Sequence, residues 1–302
     1  MQQTVLILGA NGKIGSHAAE AFWNAGWTVR HYTRGTDMTA AAKGADVIVN
    51  GLNPPNYHNW AETIPAITNQ VIAAAKASGA TVIIPGNVYN FGNQPGLLDE
   101  NTPHNANTRK GQIRIQMEAT YRAAGVRTII LRAGNFIDPN GNGDLMSLMF
   151  MRAITRNKLT LAGDPDVIQA YAYVPDWARA AVMLAEKRHQ LTAWEDVPFP
   201  GHCFTGQQLR DAIAFATGRN IRIVRFPWLL MSLLSPFWEL AREMREMRYL
   251  YDMPHQIGAA RFRTLLPNFR PTPLDHVMLC SLPRDVDPDQ MMHTGQQTII
   301  AQ

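Results

Sequence analysis

The stretch Gly9-Ala10-Asn11-Gly12-Lys13-Ile14-Gly15 limits the fold of this chain more than any other feature. It follows Thr4–Leu8, a short apolar run with the composition of a buried parallel strand. Residues 14–22, which come next, repeat apolar side chains at helical spacing. Glycine permits a tight turn and lets a phosphate approach the backbone closely. The pattern G-x-x-G-x-x-G between a strand and a helix therefore predicts a dinucleotide-binding turn.

Strand and helix patterns alternate along the first 135 residues. After the glycine turn, apolar strand patterns recur in the segments 27–33, 46–52, 81–87 and 127–135, and helical patterns cover 61–78 and 109–124. This alternation predicts an α/β protein with a Rossmann-like, doubly wound parallel sheet. Only about a dozen residues separate "VRHYT" from "DVIVN", too few for a crossover helix and a further strand. We therefore predict that the third strand of a full dinucleotide-binding sheet is missing.

The second half of the chain has a looser pattern, rich in Gly, Asn and Pro. We predict a dinucleotide-binding domain over residues 1–135, with 165–225 partly returning to it. A small substrate or capping lobe is predicted over 136–302. Helices in this half are expected near residues 145–156, 176–188, 206–217 and 228–250.

Composition narrows the class of protein. The chain has 28 basic and 24 acidic side chains without a run of like charge, which argues against a nucleic-acid surface. Two cysteines without metal-ligand spacing predict no metal site and fit a reducing cytoplasm. The N-terminus runs directly into a strand pattern, so we expect no secretion signal. The most apolar stretch is interrupted by Pro227 and Pro236, so we expect no membrane span.

The end of the second strand bears on the choice of cofactor. It reads Tyr32-Thr33-Arg34-Gly35, without the Asp or Glu that binds the ribose hydroxyls of NAD. An arginine can donate two hydrogen bonds to the 2′-phosphate of NADP, although it can also be an ordinary solvated side chain. We predict NADP as the cofactor, with NAD as the alternative.

Three further stretches carry a family resemblance. Together with the glycine turn, "VYNFG" (88–92), "LRAGNF" (131–136) and "YVPDWARA" (173–180) resemble the extended and atypical short-chain dehydrogenase/reductase superfamily, over about residues 4–220. That superfamily includes nucleotide-sugar epimerases and dehydratases. The resemblance implies a nicotinamide cofactor at the strand ends. Its implied contacts are Gly9, Asn11, Gly12, Lys13, Ile14, Gly15, Arg34, Leu52, Asn53, Pro85 and Arg114.

The chain departs from the family where the catalytic residues should be. Registering Glu118 on the family's Y-x-x-x-K-x-x-x-E pattern puts Lys110 at the tyrosine position and Arg114 at the lysine position. The resemblance then implies that Arg114 holds the nicotinamide ribose. Lys110 is either a proton donor whose pKa is lowered by burial beside a second cation, or an ordinary solvated lysine.

Two other side chains are candidates for the chemistry. Tyr89 is a rival proton donor, or else it shapes the pocket. Asn87 stands where the family has Ser or Thr, and it either orients a carbonyl or is a turn residue. Tyr57, His58 and Trp60 lie on a loop within reach of the pocket. Asp176 is expected to cap a helix.

Three functions remain open. The first is an NAD(P)-dependent oxidoreductase or epimerase-like enzyme acting on a small carbonyl or hydroxyl substrate. The second is a non-catalytic NADP(H)-binding redox sensor, and the third, least supported, is a nucleic-acid-binding relative. The resemblance also implies a homodimer through the helices at 61–78 and 109–124, where Ala73, Ala74 and Ala75 would allow close approach.

Overall fold

The computed structural model of the protein describes residues 2–283 and Val286. In chain order the strands are β1 Thr4–Leu8, β2 Thr28–His31, β3 Val47–Asn50, β4 Thr81–Gly86, β5 Gly96–Leu98, β6 Thr128–Arg132, β7 Asn135–Ile137, β8 Lys158–Leu161, β9 Gln169–Tyr173, β10 Trp194–Pro198, β11 His202–Phe204, β12 Arg222–Arg225 and β13 His255–Ile257. The helices are α1 Lys13–Asn24, α2 Met38–Ala42, α3 Trp60–Ser78, α4 Arg109–Ala124, α5 Val174–Glu186, α6 Gly206–Thr217, α7 Trp228–Leu234, α8 Glu239–Glu246, α9 Tyr249–Asp252, α10 Ala260–Leu265 and α11 Leu274–Leu279.

Six strands form one parallel sheet in the order β10-β6-β4-β3-β1-β2. Strands β3, β4 and β6 are almost continuously buried and rich in Ile and Val, because helices cover both faces of the sheet. Strand β2 is an edge of this sheet, and the chain passes from it to β3 through the five-residue α2. The prediction of a doubly wound parallel sheet that lacks its third strand is confirmed.

The helices lie in two layers. On one face α1 packs against α5, where Phe22 and Ala18 share an apolar cluster with Trp177 and Ala181. On the other face α3 and α4 pack together, and Val71 and Tyr121 belong to a second cluster. Parallel sheets of this type bind ligands at the carboxyl ends of their strands.

The later part of the chain makes smaller sheets. Strands β7, β9 and β11 form one of them, β8 pairs with β12, and β13 pairs with β5. Strand β10 returns to the main sheet beside β6. Among the described residues, no helix combines the length and the apolar character needed to cross a bilayer.

Two predicted helices are wrong in the structure. The segment 145–156 contains only a π-turn at Met146–Phe150 and a 3-10 turn at Ile154–Arg156. The segment 228–250 is divided among α7, α8 and α9. Pro236 explains the first of these breaks, because proline lacks an N–H and its ring clashes with the preceding turn.

The predicted cap at Asp176 is also wrong. Helix α5 begins two residues earlier, at Val174, and Tyr173 is its N-cap. The Asp176 carboxylate instead accepts hydrogen bonds from the N–H and the Oγ1 of Thr272, both at 2.7 Å, and pairs with Arg179 at 2.6 Å. Asp176 therefore links the segment around Thr272 to the start of α5 by hydrogen bonds.

The three alanines of α3 do not share one face. Ala74 and Ala75 are buried in the core, and Ala73 is exposed. Neighbouring residues of a helix point about 100° apart, so three in a row cannot all face a partner. Only Ala73 is available for the close approach expected at this helix.

Candidate active site

The glycine turn joins β1, α1 and the end of β3 at very short range. Gly9 has a φ of +75°, a conformation that glycine adopts without strain. A Cβ on Gly15 would lie 2.2 Å from the carbonyl oxygen of Gly9, and one on Gly51 would lie 2.8 Å from that of Leu8. The glycines therefore form a bare backbone cradle. The first N–H groups of α1 have no acceptor within the helix and are available to a ligand there.

The other members of the motif contact a loop from the second half of the chain. Lys13 donates from Nζ to the carbonyl of Gly143 at 2.7 Å, and Asn142 donates to the carbonyl of Asn11 at 3.2 Å. Burial lowers the pKa of Lys13, opposed by the carboxylates of Asp144 and Asp138. The side chain of Ile14 is in the core, so only its backbone can serve a cofactor.

A buried pair that the sequence did not indicate fixes this loop. His17, on α1, lies 2.8 Å from Oδ1 of Asp138 through its Nε2. Both side chains are buried, and the two residues are 121 positions apart. No local pattern marks such a pair. It attaches the loop beyond β7 to the helix that follows the glycine turn.

Arg34 lies just beyond β2, beside the glycine turn. Strand β2 pairs with β1 in parallel, and Tyr32 N–H donates to the carbonyl of Ile7. Arg34 is exposed at the carboxyl edge of the sheet. This is where the side chain that chooses between NAD and NADP is located in dinucleotide-binding folds.

The structure brings Arg114 together with the loop after β3. Nη2 of Arg114 donates to Oδ1 of Asn53 at 2.7 Å, and its guanidinium carbon lies 4.5 Å from the centroid of the Trp60 ring. Burial lowers the pKa of Arg114, opposed by Tyr89 and other neighbours. Its Nε is buried and has no hydrogen-bond partner. Two expected cofactor contacts, Asn53 and Arg114, are therefore hydrogen-bonded to each other. The N–H of Leu52, a third expected contact, donates to Oδ1 of Asn50.

Lys110 has carboxylates around it rather than the second cation expected from the sequence. Its Nζ pairs with Oε2 of Glu246 at 2.6 Å and makes a closer contact with Glu243. Its backbone N–H donates to Oε1 of Glu246 at 2.9 Å. The side chain is only 1% exposed. Lys110 thus fastens α8 to the first turn of α4.

Two tyrosines meet near Arg114. The hydroxyls of Tyr57 and Tyr89 are 3.4 Å apart, and Nζ of Lys110 lies 5.0 Å from the centroid of the Tyr57 ring. The nearby Tyr89, followed by burial, raises the pKa of Tyr57 well above its ordinary value, and the charge of Arg114 opposes that shift. The phenol of Tyr57 therefore stays protonated.

Asn87 makes the turn that presents Tyr89. Its Oδ1 accepts from the N–H of Tyr89 at 2.9 Å, and its carbonyl accepts from Nη1 of Arg132 at 2.8 Å. Pro85, two residues earlier, is a paired residue of β4. The expected residues Pro85, Asn87 and Tyr89 thus form one continuous segment at the strand end.

The loop that carries Tyr57 is conformationally unusual. Asn56, Tyr57 and Asn59 have φ values of 53°, 61° and 46°, which side-chain-bearing residues rarely adopt. His58 Nδ1 lies 2.8 Å from Oε2 of Glu239 on α8. Unusual backbone of this kind clusters at ligand sites, where the surrounding structure maintains it.

Sequence reasoning predicted a capping lobe but missed four of its side chains that lie at the site. Glu243 and Glu246 on α8 hold Lys110, and Tyr249 and Tyr251 lie near Tyr89. Burial raises the pKa of both of these tyrosines. All four lie in "EMREMRYLY", more than 130 residues after Lys110, so no spacing rule could connect them to it.

A separate cavity of about 580 Å³ lies between α4 and β10. Donor atoms of His104, Glu118 and Asp196 lie within 4.8 Å of one another there. The guanidinium of Arg132 already pairs with Glu118 at 2.9 Å and with Asp196 at 2.6 Å. Arg132 therefore supplies the positive charge that a metal ion would otherwise provide.

The middle of the chain matches a known protein family. Residues 61–196 match the family described as the NAD dependent epimerase/dehydratase family. The match covers a little under half of the chain. It confirms the resemblance to extended short-chain dehydrogenases/reductases. A search of curated proteins found no match.

Solved structures share the fold across most of the chain. A UDP-glucose 4-epimerase from Brucella ovis in complex with NAD has a TM-score of 0.71 at 18% identity, covering 92% of this chain and 97% of that one. A UDP-glucuronic acid 4-epimerase from Bacillus cereus, with UDP-glucuronic acid and NAD, has a TM-score of 0.71 at 14% identity, covering 97% and 100%. A nucleoside-diphosphate-sugar epimerase from Staphylococcus aureus has a TM-score of 0.65 at 17% identity, covering 91% and 99%. At these identities the likeness concerns the fold.

Proposed function

We propose that the protein is an NAD(P)-dependent oxidoreductase or epimerase-like enzyme that acts on a small carbonyl or hydroxyl substrate. The observation that carries this proposal is the group formed by Arg114, Tyr57 and Tyr89 at the carboxyl edge of the sheet. A buried cation beside two hydrogen-bonded phenols is suited to moving a proton to or from a substrate oxygen. A protein that only binds a cofactor has no need of such a group.

The residues present fit a nicotinamide dinucleotide. The close approach of Gly15 to the Gly9 carbonyl holds the start of α1 against β1, and the backbone N–H groups there would bind a pyrophosphate. Arg114 has an unpartnered, buried Nε that would donate to the nicotinamide ribose, next to Asn53. Arg34 would bind the 2′-phosphate of NADP. The bound nicotinamide would accept or supply a hydride.

Tyr89 is our choice for the proton donor. Its hydroxyl would donate to the substrate oxygen as a carbonyl is reduced, and would take the proton back in the reverse direction. The guanidinium of Arg114 lies close enough to interact electrostatically with Tyr89. The hydroxyl of Tyr57, 3.4 Å away, would hold Tyr89 in position. Lys110 remains the competing proton donor.

The proposed activity is tested by measuring cofactor binding and turnover of the wild type and of single-residue variants. Nucleotide sugars are the first substrates to try, because the similar structures from Brucella ovis and Bacillus cereus are nucleotide-sugar epimerases. We expect Arg114→Ala to weaken cofactor binding and Tyr89→Phe to leave binding unchanged while lowering kcat about a hundredfold or more. If Tyr89→Phe keeps full kcat and Lys110→Met loses it at unchanged cofactor affinity, Lys110 is the donor.

A redox sensor is the second candidate, and one observation favours it. The position that carries the catalytic tyrosine in the family is taken by Lys110, which is committed to Glu243 and Glu246. Tight NADPH binding without turnover of any nucleotide sugar or simple carbonyl would support the sensor over the enzyme.

A further inference from the structure

One surface of the C-terminal lobe exposes an unusual set of large apolar side chains. We name it the apolar patch, and it consists of Leu229, Leu230, Leu233, Leu234, Phe237 and Trp238. Phe237 is 92% exposed, Leu229 77% and Leu233 67%. Other exposed large apolar residues of the described chain, such as Trp23 and Phe215, are scattered along the sequence. Single exposed apolar residues are ordinary, but a contiguous group marks an interaction surface.

The backbone makes the patch continuous and holds it firmly. Helix α7 turns Trp228 and Met231 inward, and Nε1 of Trp228 donates to the carbonyl of Ala162 at 2.5 Å. The N–H groups of Phe237 and Trp238 both donate to the carbonyl of Leu234, so the chain keeps turning beyond the helix. The patch is therefore a fixed part of the fold, with its apolar side chains turned outward.

Arginines surround the patch on the side of α8. Arg245 donates from Nη1 to Oγ of Ser235 at 2.5 Å, within the patch segment. The guanidinium carbon of Arg248 lies 5.4 Å from the Trp228 ring. Arg242 pairs with Glu239, the residue after Trp238, at 3.9 Å. All three arginines are exposed.

The acidic residues of the same segment neutralise one of these arginines. "ELAREMREMR" contains three glutamates and three arginines. Glu243 and Glu246 turn inward to Lys110, while Arg242 contacts Glu239 and also Glu243, at 3.4 Å. Within residues 2–283, Arg245 and Arg248 form no ion pair, so their charge remains available at the surface.

We propose that the apolar patch and its arginines dock the protein onto an anionic lipid bilayer. Leu, Phe and Trp beside arginines are the composition of segments that lie in the membrane interface, where the apolar side chains enter the acyl boundary and the cations meet lipid phosphates. A second copy of this chain fits less well, because a symmetric contact through the patch would bring the two sets of arginines together. The docking is peripheral, and it does not depend on the proposed redox activity.

Vesicle co-sedimentation tests the proposal with the full chain. We expect the protein to bind vesicles of equal phosphatidylcholine and phosphatidylglycerol, to release them in high salt, and to bind pure phosphatidylcholine at least about tenfold more weakly. Phe237→Ser and Leu229→Ser should each lower the partition coefficient about tenfold, the scale of withdrawing one large apolar side chain. Phe215→Ser, at a residue 93% exposed on α6, is the matched control and should bind as the wild type does. Unchanged thermal melting will show that each variant folds.

Three results would overturn the proposal. The first is wild-type protein that stays in the supernatant with anionic vesicles. The second is binding that Phe215→Ser reduces as much as Phe237→Ser does. The third is concentration-dependent self-association that Phe237→Ser abolishes while vesicle binding is absent, which would assign the patch to a second copy of the chain.

Discussion

Lys110 is a buried charge whose partners come from a distant part of the chain. Replacing it with alanine would remove the buried cation from Oε2 of Glu243, while the more exposed Arg109 and Arg242 contact only Oε1 of that buried carboxylate. Breaking a buried ion pair on one side typically costs about 3–5 kcal/mol. We expect Lys110→Ala to lower the free energy of unfolding by that amount in urea titrations. Lys76→Ala, at an exposed lysine on α3, should change it little. Equal effects of the two substitutions would contradict the ion-pair role.

Arg34 gives a second prediction at this scale. If its guanidinium binds the 2′-phosphate, the wild type will prefer NADPH over NADH, and Arg34→Ala will reduce that preference by about 1–3 kcal/mol, the scale of a charge-assisted hydrogen bond. Calorimetry with both cofactors measures this directly. Arg263→Ala, at an exposed arginine on α10, is the control. A wild type that binds both cofactors equally would refute NADP selection by Arg34.

Individual side-chain partners were the hardest feature to infer from sequence. The resemblance placed Arg114 beside the cofactor segment, and its hydrogen bond to Asn53 joins two of the expected contacts. The helical spacing suggested a cationic neighbour for Lys110, although the carboxylates of Glu243 and Glu246 contact its Nζ. Apolar periodicity reports which face of an element is buried. It does not report which distant side chain lies opposite.

Among the secondary-structure elements, the distance between β1 and α1 depends on the absence of a side chain at Gly15. Gly15→Ala would put a Cβ 2.2 Å from the carbonyl of Gly9, so α1 must move away from β1. Gly12→Ala would put one at 3.3 Å, which a small shift accommodates. We expect Gly15→Ala to abolish measurable NADPH binding and lower the melting temperature, and Gly12→Ala to have the smaller effect on stability. The reverse order of melting temperatures would contradict this account of the turn.

Elements with a strong local signal were predicted well. Helix α6 spans the predicted residues, since Thr205 and Gln208 form a capping box at its start and Gly218 ends it. Short runs of Ile and Val correctly predicted the strands of the main sheet. The predicted helix over 228–250 was wrong because Met, Leu and Trp are apolar on all sides there. The pattern carried no period that could reveal the break at Pro236 or separate α7 from α8.

At the scale of the whole molecule, the dimer expected from the family resemblance remains a prediction. The outer face of α3 carries Ala66 and Ala73, and that of α4 carries Ala119 and Ala123, all exposed. Small side chains would let a second copy approach closely. We expect light scattering to report a dimer at micromolar concentration and Ala73→Glu to dissociate it, while Phe215→Ser leaves it intact. A monomer at every concentration would contradict the predicted dimer.

We propose an NAD(P)-dependent active site at the sheet edge that uses Tyr89 rather than the Lys110 position. Its most direct test is a crystal structure with NADPH bound, from which the distance of each candidate proton donor to nicotinamide C4 is measured. We predict that Arg114 donates to the nicotinamide ribose, that the Tyr89 hydroxyl faces the space beside C4, and that Lys110 stays with Glu243 and Glu246. Lys110 Nζ turned toward C4, with Tyr57 and Tyr89 remote from the nicotinamide, would contradict the claim.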